Sequence, residues 1–345
     1  MDVIVVGAGP SGCRTAEIIA RKGYKVLILE EHPTIGIPTQ CTGLVSSRIG
    51  KIPKKIILNK IKKARFCSKN KYFEIKSKKP AYVIDRKGYD EYRTREAKKA
   101  GAEINLSTKF LDFKNLQVAT SSGNYQTKVL VGADGPNSSV ARIARLELPD
   151  NFLKAVQVRA KSHFDSDAVE LWFGDVAPGL FAWVVPENNE MARIGLMTDK
   201  NPNEYLEKFL RNRLGNVIAN DRIGDFAKYG LIKKSVSDNV LLVGDAACQI
   251  KPFSMGGLIY GQIGAKYAGN ACIKSLQSDD FSENFLKKYY DKEWKKELAG
   301  PIRKGLITKK IFSSILIKPH SFDLIQKLRI TRLSSFFDMD FLGKG

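Results

Sequence analysis

Near the start of the chain, Gly7, Gly9 and Gly12 stand within Gly7-Ala8-Gly9-Pro10-Ser11-Gly12, and Glu30 follows eighteen residues after the last of them. These residue types at this spacing suit a dinucleotide. Gly7 permits a tight turn, Gly9 admits a pyrophosphate to the backbone, and Gly12 lets a helix lie close to a strand. Pro10 and Ser11 would open that helix, whose N-terminal N–H groups and positive dipole end attract phosphate. Glu30, with Glu31 beside it, can accept hydrogen bonds from ribose hydroxyls, and its charge disfavours a 2′-phosphate. The elements that must position these groups are legible on either side. The apolar run Val3 to Val6 leads into the turn, and the run Lys25 to Leu29 leads into Glu30. A helix that merely starts with glycines would lack both the flanking strands and the acid.

Two later segments point to FAD rather than NAD. Val129 to Gly132 is an apolar run that continues as Ala133-Asp134-Gly135, and Val240 to Val243 runs into Gly244-Asp245-Ala246-Ala247. An aspartate leaving a buried strand can bind a ribityl or ribose hydroxyl. Gly256-Gly257 precedes a helical pattern from Leu258 to Ala271, whose N-terminus offers a positive end to a flavin ring or pyrophosphate. Each Gly-Asp taken alone also reads as a turn with a local side-chain cap. No second glycine fingerprint follows a strand, so no separate NAD(P)H domain is expected. The reductant would be a nicotinamide that docks transiently or a small ferredoxin-like carrier.

Together with Asp85-Arg86 ahead of a helical stretch, these motifs resemble the FAD-dependent hydroxylase-fold flavoproteins. Within that group the chain is similar to the geranylgeranyl reductase family, in particular the archaeal-type enzymes that saturate isoprenoid chains of membrane lipids. Two segments carry the narrower likeness. Pro38-Thr39-Gln40-Cys41-Thr42-Gly43 resembles a Pro-x-x-Cys-x-Gly element near the flavin. Phe181-Ala182-Trp183-Val184-Val185-Pro186, with Gly195 beyond, resembles a Tyr-x-Trp-x-Phe-Pro element that lines a lipid cavity. Leu44 stands where the family often has a second glycine, Phe181 where it has tyrosine, and Val185 where it has phenylalanine. The likeness covers about residues 1 to 275.

The resemblance implies bound FAD held by Gly7, Gly9, Pro10, Ser11, Gly12, Glu30, Glu31, Cys41, Gly43, Arg86, Asp134, Gly135, Gly244, Asp245, Gly256 and Gly257. It also implies reduction of isolated C=C bonds in geranylgeranyl chains, with Cys41 as proton donor or alkene-positioning group. Trp172, Phe181, Trp183, Val185 and Pro186 are the expected lipid contacts, with Phe173 and Met197 beside them. Each of these aromatic and aliphatic residues also reads as ordinary sheet core. Two other readings stand beside the reductase: a flavin monooxygenase of the same fold, and a non-enzymatic, membrane-docking flavoprotein.

The expected fold is mixed α/β. A Rossmann-like FAD domain is assembled from about residues 1–50, 85–145 and 236–275. A substrate domain is built from 51–84 and 146–235, and a basic, mainly helical region follows at 276–345. The substrate domain shows alternating, strand-like runs near residues 155–160, 168–173, 180–185 and 193–197, expected to form an antiparallel sheet. At 345 residues and 43% hydrophobic, the chain is long enough to bury a large core. It has no run of about 18 apolar residues to span a membrane and no secretory signal pattern. Its five scattered cysteines and three distant histidines form neither a disulfide framework nor a metal site. A cytoplasmic monomer, peripheral on the inner face of the cell membrane, is expected.

The net charge of +21 is unevenly placed: residues 51–79 hold twelve Lys and Arg against a single acid, Glu74. The tail after Asp280 is basic too, with apolar residues between the charges. Such a surface attracts anionic lipid, although a solvated basic face has the same composition. No nucleic-acid-binding motif accompanies it, so nucleic acid is not expected as a partner.

Overall fold

The computed structural model describes residues 1–39, 41–215, 219–315 and 340. Two compact units are present. The first comprises Met1–Ile37, Lys87–Asn151 and Lys228–Arg303; the second comprises Pro38–Arg86, Phe152–Ala227 and Lys304–Gly345. Residues 38–50, grouped from sequence with the dinucleotide motifs, thus fall in the second unit, and residues 276–303 fall in the first.

The first unit is built on a six-stranded sheet. Its strands run in the spatial order Val236–Ser237, Val240–Leu242, Val129–Gly132, Val3–Val6, Val26–Leu29 and Glu103–Asn105. The four central strands are parallel, with Val5 opposite both Val131 and Ile28. Every residue of these four strands is buried. That is why they read as unbroken apolar runs: a parallel sheet is covered on both faces and shows no alternation. Helices Pro10–Ala20 and Leu258–Ser278 pack on each other, with Gly269 against Ile18. A small three-stranded sheet, Phe110–Lys114, Gln117–Thr120 and Gly123–Gln126, was not anticipated.

After Asp280 the described chain is helical over residues 283–315, and two aromatics anchor its first part within this unit. Tyr290 and Trp294 are fully buried. The Tyr290 hydroxyl donates to the Leu242 carbonyl and accepts from Gln249, and the Trp294 indole donates to Ser235 Oγ at 2.9 Å. Burying an aromatic ring contributes about 1.5–3 kcal/mol, and each polar tip finds a partner, as a buried tip must. The later basic segments of the tail, including Leu328-Arg329-Ile330, lie outside the described residues.

The second unit is an eight-stranded sheet. Its strands run in the order Ala219–Lys228, Phe152–Lys161, Met191–Thr198, Phe181–Pro186, Ala168–Trp172, Ile57–Ser68, Lys71–Ile84 and Leu44–Val45. The four runs expected from sequence are all strands and pair antiparallel with one another. One junction departs from that pattern: Ala168–Trp172 runs parallel to Ile57–Ser68. The basic stretch forms the long hairpin of Ile57–Ser68 with Lys71–Ile84.

Helix Pro202–Leu214 covers one face of this sheet. Asn201 caps it, and Leu206, Phe209 and Leu210 pack on Val156, Val158, Ala182, Val184, Ile194 and Leu196. The spacing of those three residues is one helical stripe, and the sheet residues alternate with those of the opposite face. Among the described residues no helix is long and apolar enough to cross a membrane.

Candidate active site

The dinucleotide turn is built from a strand that ends where a helix must begin. Gly7 has φ +103°, and a Cβ there would strike the carbonyl of Ala133, just past the end of the neighbouring strand. Gly12 sits against the Gly7 carbonyl and Val5, so the helix lies directly on the strand. Gly9 is the opposite case: nothing lies within 4 Å of where its Cβ would stand. Pro10 occupies the first turn, and no side chain caps the helix, so its N-terminal N–H groups have no side-chain acceptor. An open approach to Gly9 and an uncapped helix start fit the diphosphate of FAD.

Glu30 is tied into this turn. Its carboxylate accepts the Ala8 N–H at 2.9 Å and the His32 N–H at 3.0 Å, and lies 2.7 Å from His32 Nδ1. Strand spacing therefore brings Glu30 to the turn, and capacity remains on its oxygens for a ribose hydroxyl. The neighbouring Glu31 is exposed. Ala8 and His32 as partners of Glu30 were not singled out from sequence, because one acts through its backbone and the other by proximity alone.

The two Gly-Asp turns differ. Asp134 accepts from Ser138 Oγ at 2.6 Å and from the N–H groups of Ser139 and Val140 at 2.7 and 3.1 Å. Its carboxylate thus caps the helix Ser139–Ile143 within its own turn. Burial raises its pKa, and the hydrogen bonds from Ser138 and the backbone offset that only partly. Asp245 is exposed, with Oδ1 2.5 Å from where a Cβ at Gly257 would stand. Glycine at 257 therefore lets this carboxylate lie at the start of helix Leu258–Ser278, whose N-cap residue has no side chain of its own. Gly135 opens onto free space, and Gly256 lies against the Lys251 side chain. The Ser11 side chain packs against Gly244 and Gly261, which leaves its backbone N–H as the group for phosphate. Gly7, Gly9, Pro10, Ser11, Gly12, Glu30, Gly244, Asp245, Gly256 and Gly257 all belong to the first unit.

Cys41, Gly43 and Arg86 belong to the second unit. Cys41 is half-buried, and its Sγ accepts the Gly43 N–H at 3.3 Å. Gln40 lies outside the described residues. Burial pushes the thiols of Cys13, Cys67, Cys248 and Cys272 up to about 12, so they stay protonated and unreactive. Arg86 is half-buried at the start of helix Arg86–Lys99.

The expected lipid contacts do not share one face. Leu171 pairs with Trp183 and Trp172 with Ala182, so strand alternation directs Trp172 and Trp183 to opposite sides. Trp172 packs edge-on against Phe209 on the helix-covered face, with Nε1 donating to Glu170 at 2.8 Å. Pro186 shares that face with Ala182 and Val184, and its carbonyl accepts from Asn59. Reading Trp172 and Pro186 as lining one cavity with Trp183 overlooked this alternation.

Phe181, Trp183, Val185 and Met197 stand on the other face. There a row of rings crosses the sheet: Phe73, Phe66, Phe173, Phe181 and Trp183, with successive centroids 4.9, 6.0, 5.5 and 6.4 Å apart. The Trp183 indole lies over Gly195 and donates to Gln157 at 3.2 Å. Phe66 and Phe73 were missed because they sit within the lysine-rich hairpin, where charge masks the alternation. Among the described residues no group of His, Cys, Asp and Glu could hold a metal ion.

Comparison with known proteins matches residues 1–81 to the Thi4 family and residues 152–224 to the geranylgeranyl reductase catalytic domain. An uncharacterised protein of Methanocaldococcus jannaschii is 34% identical, over 99% of this chain and 90% of its own length. The digeranylgeranylglycerophospholipid reductase of the same organism is 32% identical, over 86% of this chain and 82% of its own. Among solved structures, a geranylgeranyl bacteriochlorophyll reductase-like protein from Thermoplasma acidophilum superimposes with a TM-score of 0.85 at 24% identity, covering 97% of this chain and 91% of its own.

Proposed function

This chain belongs to the geranylgeranyl reductase family of FAD-dependent oxidoreductases, and from that premise we propose that it saturates isolated C=C bonds of geranylgeranyl chains in isoprenoid membrane lipids or their precursors. The observation that carries the substrate reading is the row of five rings from Phe73 to Trp183. All five rings are buried, and together they make a continuous apolar layer whose length suits a flexible hydrocarbon chain better than a small polar substrate. The indole at its end is fixed by Gly195 and Gln157 rather than left to rotate.

Reduced flavin, when bound, supplies a hydride to an alkene carbon. The chain's own residues then have three tasks. The Gly7–Gly12 turn, Glu30 and Asp245 hold the dinucleotide by its diphosphate and hydroxyls. The aromatic row orients the polyprenyl chain and excludes water, since an unactivated alkene gains most from positioning in a dry site. The Cys41 thiol donates the proton to the neighbouring carbon and is reprotonated from solvent. Hydride plus proton add one H2 per double bond. The electrons are replaced by NAD(P)H or a small acidic carrier, for which the basic surface is a suitable dock.

The β-hairpin Ile57–Ile84 is the surface we propose for membrane contact. Lys60, Lys62, Lys69, Lys71, Lys76 and Lys79 are exposed on it, as are Leu58 and Tyr72. A basic residue near anionic headgroups contributes about 1 kcal/mol, so a few suffice for reversible attachment of a monomer to the inner leaflet. The reductase reading is tested by mass spectrometry of lipids from cells expressing the protein. It expects prenyl chains heavier by two hydrogens per double bond; an unchanged lipid profile beside abundant flavin-loaded protein would overturn it.

A further inference from the structure

The strand Met191–Thr198 seats the Trp183 indole at Gly195, and two residues earlier, on the same face, it carries a buried arginine. Arg193 is paired through Nε with Glu187 Oε1 at 2.7 Å. Its Nη1 donates to the Thr42 carbonyl at 2.7 Å and to the Ile84 carbonyl at 3.0 Å. The other Glu187 oxygen accepts from Arg159 at 2.7 Å, and Arg159 reaches Asp221 at 3.4 Å. Arg193 is therefore a buried cation whose charge is balanced through Nε while Nη1 reaches two backbone carbonyls far away in sequence.

Those carbonyls flank the cysteine loop. Ile84 N–H donates to the Gly43 carbonyl at 2.9 Å, and Gly43 N–H donates to Cys41 Sγ at 3.3 Å. Gly43 has φ +71°, and a Cβ there would collide with Arg193 Nη1. Glycine at 43 is thus required both by the backbone angle and by the guanidinium lying against it. The half-buried Cys41 thiol sits in a loop whose Thr42 carbonyl accepts from Arg193. Here it is held from beneath by one planar group with fixed donor directions.

We infer that Arg193, locked by Glu187, is a positioning residue that fixes the Thr42–Gly43 backbone and through it the place of the Cys41 thiol. Nothing in the motif that resembles the family marks Arg193 or Glu187 for this role. The inference rests on the reading of Cys41 as the proton-donating group, but its first readout does not depend on any substrate.

The test uses the full-length, FAD-loaded protein as wild type, Arg193→Met, Arg193→Lys, Cys41→Ala and the Arg193→Met/Cys41→Ala double variant. Alkylation by iodoacetamide is followed at each cysteine by peptide mass spectrometry. Cys13, Cys67, Cys248 and Cys272 serve as internal reporters of an intact fold, because they are buried. Arg193→Met is expected to change the Cys41 alkylation rate several-fold while the four buried thiols stay protected and FAD stays bound, with Arg193→Lys in between. Turnover on a geranylgeranyl lipid should fall about tenfold in Arg193→Met but no further when Cys41→Ala is already present, because residues acting through one another are not additive.

An unchanged Cys41 rate in a folded Arg193→Met protein would overturn the inference, as would losses that add in the double variant. Should the methionine variant not fold, the lysine variant is judged by the same two criteria. If no prenyl lipid is reduced even by wild type, the substrate reading fails, and the alkylation rates still decide the role of Arg193.

Discussion

The Trp183 indole rests on the α-carbon of Gly195: its Cζ2 lies 2.5 Å from where a Cβ at residue 195 would stand, and the Val156 carbonyl is equally near. One of these neighbours is a side chain with a hydrogen bond to Gln157, and the other is backbone in the middle of a sheet. Gly195→Ala should therefore tilt the indole off its partner and strain the strand. A loss of about 1–3 kcal/mol in urea unfolding is expected for such overpacking, with a changed tryptophan emission spectrum and reduced turnover while FAD remains bound. Unaltered stability and emission would show that the glycine is not needed to seat the ring.

Glu30 should matter to cofactor affinity, with a side chain only 14% exposed. It accepts the Ala8 N–H of the dinucleotide turn and the His32 N–H just beyond its own strand, and its remaining acceptor capacity is what we propose for ribose. Glu30→Ala is expected to weaken FAD binding by about 1.5–3 kcal/mol, the usual worth of hydrogen bonds to a charged group, with Glu30→Gln losing less. Titration of the apoprotein by flavin fluorescence measures this. Equal dissociation constants for all three proteins would remove Glu30 from the cofactor site.

Much of the fold was legible because its signals are local. Val3–Val6, Val26–Leu29, Val129–Gly132 and Val240–Leu242 are short, uninterrupted apolar runs, and only a parallel sheet covered on both faces needs them. The glycine spacing and Glu30 follow from the same strand–turn–helix geometry. The site beyond the dinucleotide turn was harder, because contacts across strands depend on register. Trp172 and Trp183 are both tryptophans in neighbouring strands, yet they face opposite ways by one residue of pairing. Asp134 and Asp245 share a Gly-Asp motif, but Ser138 four residues on turns the first into a helix cap. Arg193 reaches Thr42 from 151 positions away, a link that no short motif encodes.

Acid stability should depend on a cluster between the eight-stranded sheet and its covering helix, where Arg213 reaches Glu170. Burial alone would raise the Glu170 pKa, but hydrogen bonds and charge from Arg213, the Trp172 indole and the Arg65 charge bring it below the ordinary glutamate value. A carboxyl whose folded pKa is depressed adds stability above its unfolded pKa, and that stability is lost as pH falls through the folded value. Glu170→Gln should therefore cost about 2 kcal/mol at pH near 6, somewhat under the range for a fully buried pair because Arg213 and Arg65 are partly exposed. The gap between variant and wild type should close as pH drops below about 4.3, the ordinary glutamate pKa. Urea unfolding at several pH values gives the comparison, and a gap that stays constant down to strongly acidic pH would contradict it.

Membrane attachment through the hairpin should be electrostatic and therefore sensitive to salt. Reversing Lys60, Lys62, Lys76 and Lys79 to glutamate should abolish co-sedimentation with vesicles rich in anionic lipid and leave FAD content unchanged. Binding of wild type to neutral vesicles should already be weak. Equal sedimentation of wild type and the reversed protein would assign the membrane surface elsewhere or nowhere.

The most direct measurement of the central claim is a single turnover without oxygen. The FAD-loaded protein is reduced with dithionite, freed of excess reductant, and mixed with a digeranylgeranyl phospholipid. Flavin absorbance should return as the lipid gains two hydrogens for each flavin reoxidised, and Cys41→Ala should slow both together. Flavin that stays reduced in the presence of the lipid, or that reoxidises while the lipid mass stays the same, would contradict the assignment.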